Sequence, residues 1–244
     1  KIIHIDVDPA EIGKNMPAHI PIVGDLKNVL EEFIKSCEWK APEEWVNKVT
    51  DRKQRYSRVE IPLVEGFVEP KRFMRALSHK MDKDAIICAD VGQNQIWSAN
   101  YCTIDNGRFL TSGGLGTMGY SIPCAVGAKA AAPQRQVCAV CGDGSFQMSM
   151  MELATLCQEN LGVKIIIMCN TRLGMVRELQ DMHFGCRHCG VYLNGSPDFV
   201  SLAGAYGITA RSVSSNEEAE SAIDEMLASD SPYLLVCNVS PDYS

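Results

Sequence analysis

No apolar run in the 244-residue sequence approaches the ~20 residues that a membrane-spanning helix needs, so no membrane partner is expected. No charged-then-apolar leader opens it, so nothing marks it for secretion. Basic residues are in the minority, 23 Lys and Arg against 30 Asp and Glu, and the formal charge of −7 comes with no basic cluster. Nonspecific nucleic-acid binding is therefore not expected. Internal repeats and low-complexity segments are lacking as well. Eleven cysteines are present, but without the loop framework of a disulfide scaffold. Cys88, Cys138, Cys141 and Cys169 lie in apolar runs and read as small core residues, which points to a reducing, cytoplasmic setting. What remains is an ordinary globular composition, 46% hydrophobic and 22% charged, long enough for one large domain or a domain with an appendage.

An initiator methionine is missing too: Lys1 stands directly before the strand-like Ile2-Ile3-His4-Ile5. We expect a fragment whose preceding domains are absent. Residues 1–35 read as strand, Asp-Pro turn, short strand Ile20 to Val23 and helix Leu26 to Ile34, the remnant of another α/β domain. Residues 36–65, with Trp39, Pro42, Trp45 and Pro62 among many charges, read as a helix-bearing linker. From Gly66 onward strands and helices alternate, which predicts an α/β domain over 66–244: a parallel sheet with helices on both faces. The expected elements are helix Lys71 to Met81, strand Ala85 to Ala89, helix Gln93 to Tyr101, helix Tyr120 to Ala131 and a strand ending at Cys141. They continue with helix Phe146 to Gln158, strand Val163 to Cys169, a helix from Pro197-Asp198-Phe199, strand Ile208 to Val213, helix Asn216 to Leu227 and strand Tyr233 to Val239.

Chemistry concentrates between Val137 and Asn170. The apolar run Val137 to Cys141 breaks into Gly142-Asp143-Gly144-Ser145, and a second run ends in Asn170, 27 residues after Asp143. That spacing holds one helix and one returning strand, so both polar side chains emerge at the carboxyl edge of a parallel sheet, where such sheets bind ligands. A carboxylate and an amide oxygen form a hard ligand set suited to Mg²⁺, given a diphosphate for the remaining charge. Gly142 and Gly144 permit close backbone approach, and the amides of Gly144 and Ser145 face an anion. The plain structural alternative makes Asp143 a helix cap and Asn170 a turn residue.

Gly142-Asp143-Gly144 with Asn170 resembles the motif of thiamine-diphosphate enzymes. Thr111-Ser112-Gly113-Gly114-Leu115-Gly116-Thr117-Met118-Gly119-Tyr120 and Leu173-Gly174-Met175-Val176-Arg177 are similar to the catalytic subunit of acetolactate synthases. Lys1 to Pro9 and Pro21 to Asp25 resemble the end of that family's middle domain. The resemblance implies thiamine diphosphate and Mg²⁺ as cofactors, with Asp143, Asn170 and the main-chain carbonyl of Arg172 as metal ligands. It implies that the Gly116 carbonyl and the Met118 amide hold the aminopyrimidine, and that the Met118 side chain wedges the cofactor into a bent form. Asp90-Val91-Gly92-Gln93-Asn94-Gln95 follows a strand and opens a helix; by resemblance Gly92, Gln93 and Asn94 serve the diphosphate, although the family usually has His at Asn94. Leu173, Gly174, Met175 and Val176 enter a helix that faces the substrate.

As activity, the resemblance implies decarboxylation of pyruvate and transfer of the two-carbon unit to a second 2-oxo acid, in branched-chain amino acid biosynthesis. Leu179 stands where biosynthetic members carry Trp, which leaves the acceptor open. No catalytic residue is expected here, because the family supplies its essential Glu from the amino-terminal domain of a partner subunit. A homodimer or tetramer with shared sites, a regulatory subunit, and FAD in the full-length protein are consistent with the same resemblance. Two other readings remain: a different thiamine-diphosphate decarboxylase or carboligase, and a dinucleotide-binding module. For the latter, Gly114 to Gly119 fits G-x-G-x-x-G, with Asp143 downstream as the acid. Against it, Arg108-Phe109-Leu110-Thr111-Ser112 is short and half polar where a buried strand should precede the glycines. His183, Cys186, His188 and Cys189 invite a zinc reading, but they crowd into seven positions with no second Cys pair.

Overall fold

A computed structural model describes residues 1–38, 40–57 and 63–243. The chain divides into two compact units, Lys1–Glu60 and Ile61–Ser244. In the first, β1 (Ile3–Asp6) pairs in parallel with β2 (Ile20–Val23), and α1 (Leu26–Ser36) and α2 (Glu43–Ser57) follow. Asp25 caps α1 by accepting from the Asn28 amide, the expected role of an Asp ahead of an amphipathic run.

The second unit begins with α3 (Pro70–Lys80), where Pro70 follows Glu69, whose carboxylate accepts from the Lys71 and Arg72 amides. Next come β3 (Ile86–Ala89), α4 (Gln93–Tyr101), β4 (Arg108–Thr111), α5 (Ser121–Ala131) and β5 (Val137–Gly142). Then follow α6 (Asp143–Ser149), α7 (Glu152–Gln158), β6 (Lys164–Cys169), α8 (Gly174–Phe184), α9 (Phe199–Ala205), β7 (Thr209–Val213), α10 (Asn216–Ala228) and β8 (Tyr233–Asn238). The strands form one six-stranded sheet in the order β4-β3-β5-β6-β8-β7, and every pairing is parallel. β3, β5, β6 and β8 are covered on both faces, which is why their sequences are nearly unbroken apolar runs.

Alternate residues of those strands feed two cores. Ile87, Cys138, Val140, Ile166 and Met168 pack with Phe73 and Met74 of α3, Trp97 of α4 and Ile223 of α10. Cys88, Ala139, Cys141, Ile165 and Ile167 pack on the other face with Ile122 of α5, Phe146 of α6, Leu153 of α7 and Phe199 of α9. This is the predicted parallel sheet with helices on both faces.

One local expectation needs correction. The single helix expected over Phe146 to Gln158 is two helices, and the first begins three residues earlier, at Asp143. The break at Met150-Met151 is made by three-residue bonds, Leu153 N to Met150 O and Ala154 N to Met151 O. Both methionines keep right-handed helical dihedrals, so the apolar period runs through the break unmarked. Arg108–Thr111, read as too short and polar to be a buried strand, is a four-residue edge strand with no buried residue. It is half polar because it lies at the sheet edge, with β3 on one side only.

Candidate functional site

The carboxyl ends of β3 and β5 lie side by side, Ala89 opposite Val140. The chain leaves β3 for α4 on one face of the sheet and leaves β5 for α6 on the other. A crevice therefore opens between the two strand ends, the topological switch point at which open parallel sheets take ligands. It forms an open cleft whose empty space, counting the solvent at its mouth, is about 590 Å³. From β3 and α4 come Val91, Gly92, Gln93, Asn94 and Trp97; from β5 and α6 come Gly142, Asp143, Gly144 and Ser145. β6 and α8 contribute Met168, Asn170, Arg172, Leu173, Gly174, Met175, Val176 and Leu179, and Met118 enters from the glycine-rich turn.

Thus all the predicted cofactor and metal residues line one cleft except Gly116, which is exposed in the glycine-rich turn two residues before Met118. Val91, Trp97 and Met168 also line it; as apolar residues next to the motifs they carried no distinguishing signal in the sequence.

Asp143 is the first residue of α6, after Gly142 at the cap position, and is 1% exposed. Its Oδ2 accepts from the Thr171 amide at 2.7 Å and its Oδ1 from the Gly144 amide at 3.0 Å. The Cys169 thiol also approaches Oδ2, at 3.6 Å. Burial pushes the Asp143 carboxyl up from 3.8 to about 6, and the Thr171 and Gly144 amides pull it part of the way back. The Cys169 thiol is pushed up to about 12 by burial and then by the neighbouring carboxylate, so it stays protonated.

Asn170 follows β6 and is buried. Its Oδ1 accepts from the Arg172 amide at 3.0 Å, and its Nδ2 donates to Gln93 Oε1 at 2.9 Å. Arg172 forms an antiparallel bridge with Tyr192, flanked by the bonds Leu173 N to Val191 O and Leu193 N to Thr171 O. In such a non-hydrogen-bonded pair the amide and carbonyl of the central residue both point away from the partner strand. The Arg172 carbonyl is therefore not used by the Tyr192 strand.

The NH₂ groups of Gln93 and Asn94 each find two acceptors. Gln93 Nε2 donates to Glu178 Oε1 and to the Tyr243 carbonyl, at 2.6 and 2.8 Å, and Asn94 Nδ2 donates to the carbonyls of Asp90 and Val140. Asp90, just ahead of α4, does not cap that helix. Gly92 is the cap residue, and the Asp90 carboxylate accepts from the Val91, Gly119 and Ser121 amides at 3.0, 3.0 and 2.9 Å. A fully buried acid at the end of β3 thus fixes the glycine-rich turn that carries Met118. A β-carbon placed on Gly144 would lie 3.5 Å from Met118 Cε and 2.7 Å from Leu173 Cδ2, so Met118 reaches across the cleft to the start of α6.

The glycine-rich turn follows edge strand β4, and β3 stands between β4 and β5. A dinucleotide fold instead starts its glycine turn from a central strand whose sheet neighbour carries the acid. In the His183-to-Cys189 segment, His188 Nε2 meets Asp181 Oδ1 at 2.6 Å and the Cys189 amide donates to Gln180. Among the described residues no group of three or more His, Cys, Asp or Glu side chains is arranged to hold a metal.

Residues 90–237 match the family model "Thiamine pyrophosphate enzyme, C-terminal TPP binding domain". The chain belongs to the thiamine pyrophosphate enzyme family. Residues 1–33 match a second model of that family, its central domain. The chain is 42% identical to the probable acetolactate synthase large subunit of Methanocaldococcus jannaschii, over 99% of this chain and 42% of that protein. It is 40% identical to the acetolactate synthase of Arthrospira platensis, over 99% of this chain and 43% of that protein. With the large subunit from Corynebacterium glutamicum the identity is 40%, over 92% of this chain and 38% of the relative. The chain thus spans about two-fifths of the length of these relatives, and the acetolactate-synthase resemblance read from its motifs is borne out. No helix among the described residues is long and apolar enough to cross a membrane.

The donor set suits a hard divalent cation. The Asp143 carboxylate, the Asn170 amide oxygen and the Arg172 carbonyl are all oxygen donors, and the Arg172 amide takes one of the two lone pairs of Asn170 Oδ1. A carboxylate whose burial opposes ionisation gains most from an adjacent cation.

Proposed function

We propose that this chain is the cofactor-binding portion of an acetolactate-synthase-like carboligase. On this reading the full-length protein decarboxylates pyruvate and joins the two-carbon unit to a second 2-oxo acid, in branched-chain amino acid biosynthesis in the cytoplasm. Residues 1–35 are then the end of the middle domain, 36–65 the linker and 66–244 the diphosphate-binding domain. The observation that carries the reading is the convergence of Asp143, Asn170 and Met118 on one cleft at the switch point of the sheet.

Asp143, Asn170 and the Arg172 carbonyl would hold Mg²⁺, and the metal would bring a diphosphate group to the wall formed by Gly92, Gln93, Asn94, Gly142, Gly144 and Ser145. Gly116 and Met118 would hold the pyrimidine end. Thiamine diphosphate, when bound, supplies an acceptor for the electron pair released as a 2-oxo acid loses carbon dioxide. The protein orients and desolvates. Met118 and Leu173 crowd the cleft from opposite walls, and Val176 and Leu179 present an apolar rim toward the substrate side. Leu179 gives the acceptor more room than a Trp would. No residue of this chain is assigned to FAD.

Val176, Leu179 and Met182, at three-residue spacing, form an exposed apolar stripe on α8. That supports a homodimer or tetramer in which a second subunit covers the cleft and contributes the missing Glu. The "large subunit" names of the relatives support a regulatory small subunit for this protein too. The decisive experiment titrates thiamine diphosphate with and without Mg²⁺, and NAD in parallel, against wild-type protein and Asp143→Ala. Metal-dependent binding of the first, lost in the variant, is expected. Binding of NAD instead would overturn the reading, as would acetolactate formation by the purified 244-residue chain for its expected inactivity.

A further inference from the structure

The cleft contains a hydrogen-bond chain that the cofactor roles above leave unused. Gln93 Nε2 donates to two groups that can only accept, the Glu178 carboxylate and the Tyr243 carbonyl. Its amide nitrogen is thereby fixed toward α8 and the tail, and its oxygen is turned to Asn170. Asn170 must then offer Nδ2 to Gln93 at 2.9 Å, leaving Oδ1 toward the Arg172 amide. Each link has one permitted direction, so the carboxylate of Glu178, through Gln93, enforces the same orientation of Asn170 that the Arg172 amide selects from the other end. Gly174 makes room for it: a β-carbon there would stand 1.9 Å from Gln93 Oε1 and 3.0 Å from Asn170 Nδ2.

We propose that Gln93, anchored by Glu178, is a positioning residue that makes Asn170 present its oxygen, rather than its NH₂, to the metal. The proposal rests on the reading of Asp143 and Asn170 as cation ligands. Both amide hydrogens of Gln93 have protein acceptors, which turns its oxygen to Asn170. Because Glu178 sits near the start of α8, movement of that helix would alter how the metal is held, which couples the segment facing the substrate to the ion.

The test uses the full-length protein with thiamine diphosphate at saturation and Mn²⁺ as the probe, free ion being read by its electron paramagnetic resonance signal. Saturating cofactor removes any effect of the variants on cofactor affinity itself. Gln93→Leu and Glu178→Leu are each expected to weaken Mn²⁺ binding by about 10- to 100-fold, the usual cost of losing a partner that orients a metal ligand. Glu178→Gln should stay within about threefold of wild type, because its amide oxygen still accepts the Gln93 bond. A merely structural role would lower the melting temperature and leave the Mn²⁺ affinity of the folded protein alone. Glu178 is half-buried, so its variants read the same chain from the end least able to disturb folding. Mn²⁺ affinity unchanged in both Leu variants, with Asp143→Asn abolishing binding, would overturn the positioning role alone. Wild-type Mn²⁺ affinity in Asp143→Asn would overturn the cation site and this proposal together.

Discussion

Replacing Asp90 should loosen the cleft without touching any residue that faces a ligand. Its carboxylate is fully buried and accepts two amides from a turn about 30 residues away, Gly119 at 3.0 Å and Ser121 at 2.9 Å. Hydrogen bonds to a charged acceptor contribute about 1.5–3 kcal/mol each, so the two are worth about 3–6 kcal/mol in gross terms. Removing the carboxylate also relieves the cost of burying it, which offsets part of that sum. The expected net loss for Asp90→Ala is about 2–4 kcal/mol. Asp90→Asn preserves shape and one acceptor but sets an NH₂ against an amide N–H, and should cost about 2 kcal/mol. Urea unfolding measures both, a shift in midpoint at constant slope being the signature of a change confined to stability. Thiamine diphosphate retention should fall in parallel, because the same bonds hold the turn that carries Met118. A loss below about 0.5 kcal/mol for Asp90→Ala would refute the reasoning, since that is the range of an inconsequential surface change.

Two further predictions follow from the same geometry. With its folded value raised from 3.8 to about 6, Asp143 holds its proton in the native state at pH values where the unfolded chain has lost it. Stability of the metal-free protein should therefore fall as pH rises from about 4 to 6, by about 3 kcal/mol in all, and Asp143→Asn should flatten that dependence in urea titrations across the window. An equally steep fall in the variant would assign the effect elsewhere. Gly174→Ala pushes a β-carbon into Gln93 at the first residue of α8, where Ala itself favours helix by about 1 kcal/mol. Its melting temperature should change little while Mn²⁺ affinity falls as in Gln93→Leu; wild-type affinity would show that Gln93 can yield without cost.

The strands that flank the cleft were legible because burial on both faces leaves almost no polar residue to obscure them: Val137 to Cys141 is apolar throughout, and Val163 to Cys169 is apolar but for Lys164, whose ammonium group donates to the Ser229 and Ser231 carbonyls. The edge strand was not, since Arg108 and Thr111 answer to solvent as well as to the sheet. Asp143 and Asn170 could be paired from their spacing, because one helix and one parallel strand return the chain to the same edge. The task of Asp90 was illegible for the opposite reason. Its partners are backbone amides of another crossover, and backbone groups carry no sequence signature. Gln93 and Asn94 were placed in the cleft by motif, but the acceptors that consume their hydrogens, Tyr243 among them, lie up to 150 residues away.

The switch point has a consequence for how the cleft responds to damage. Its two walls hang from neighbouring strands but lean on different interiors: α4 packs through Trp97 on the core that holds Met74, α6 through Phe146 on the core that holds Leu153 and Phe199. A packing defect beneath one wall should leave the other in register. Gln93 and Asp143 are thus surveyed from separate foundations, and a void cut under either displaces one jaw of the grip while its opposite stays true.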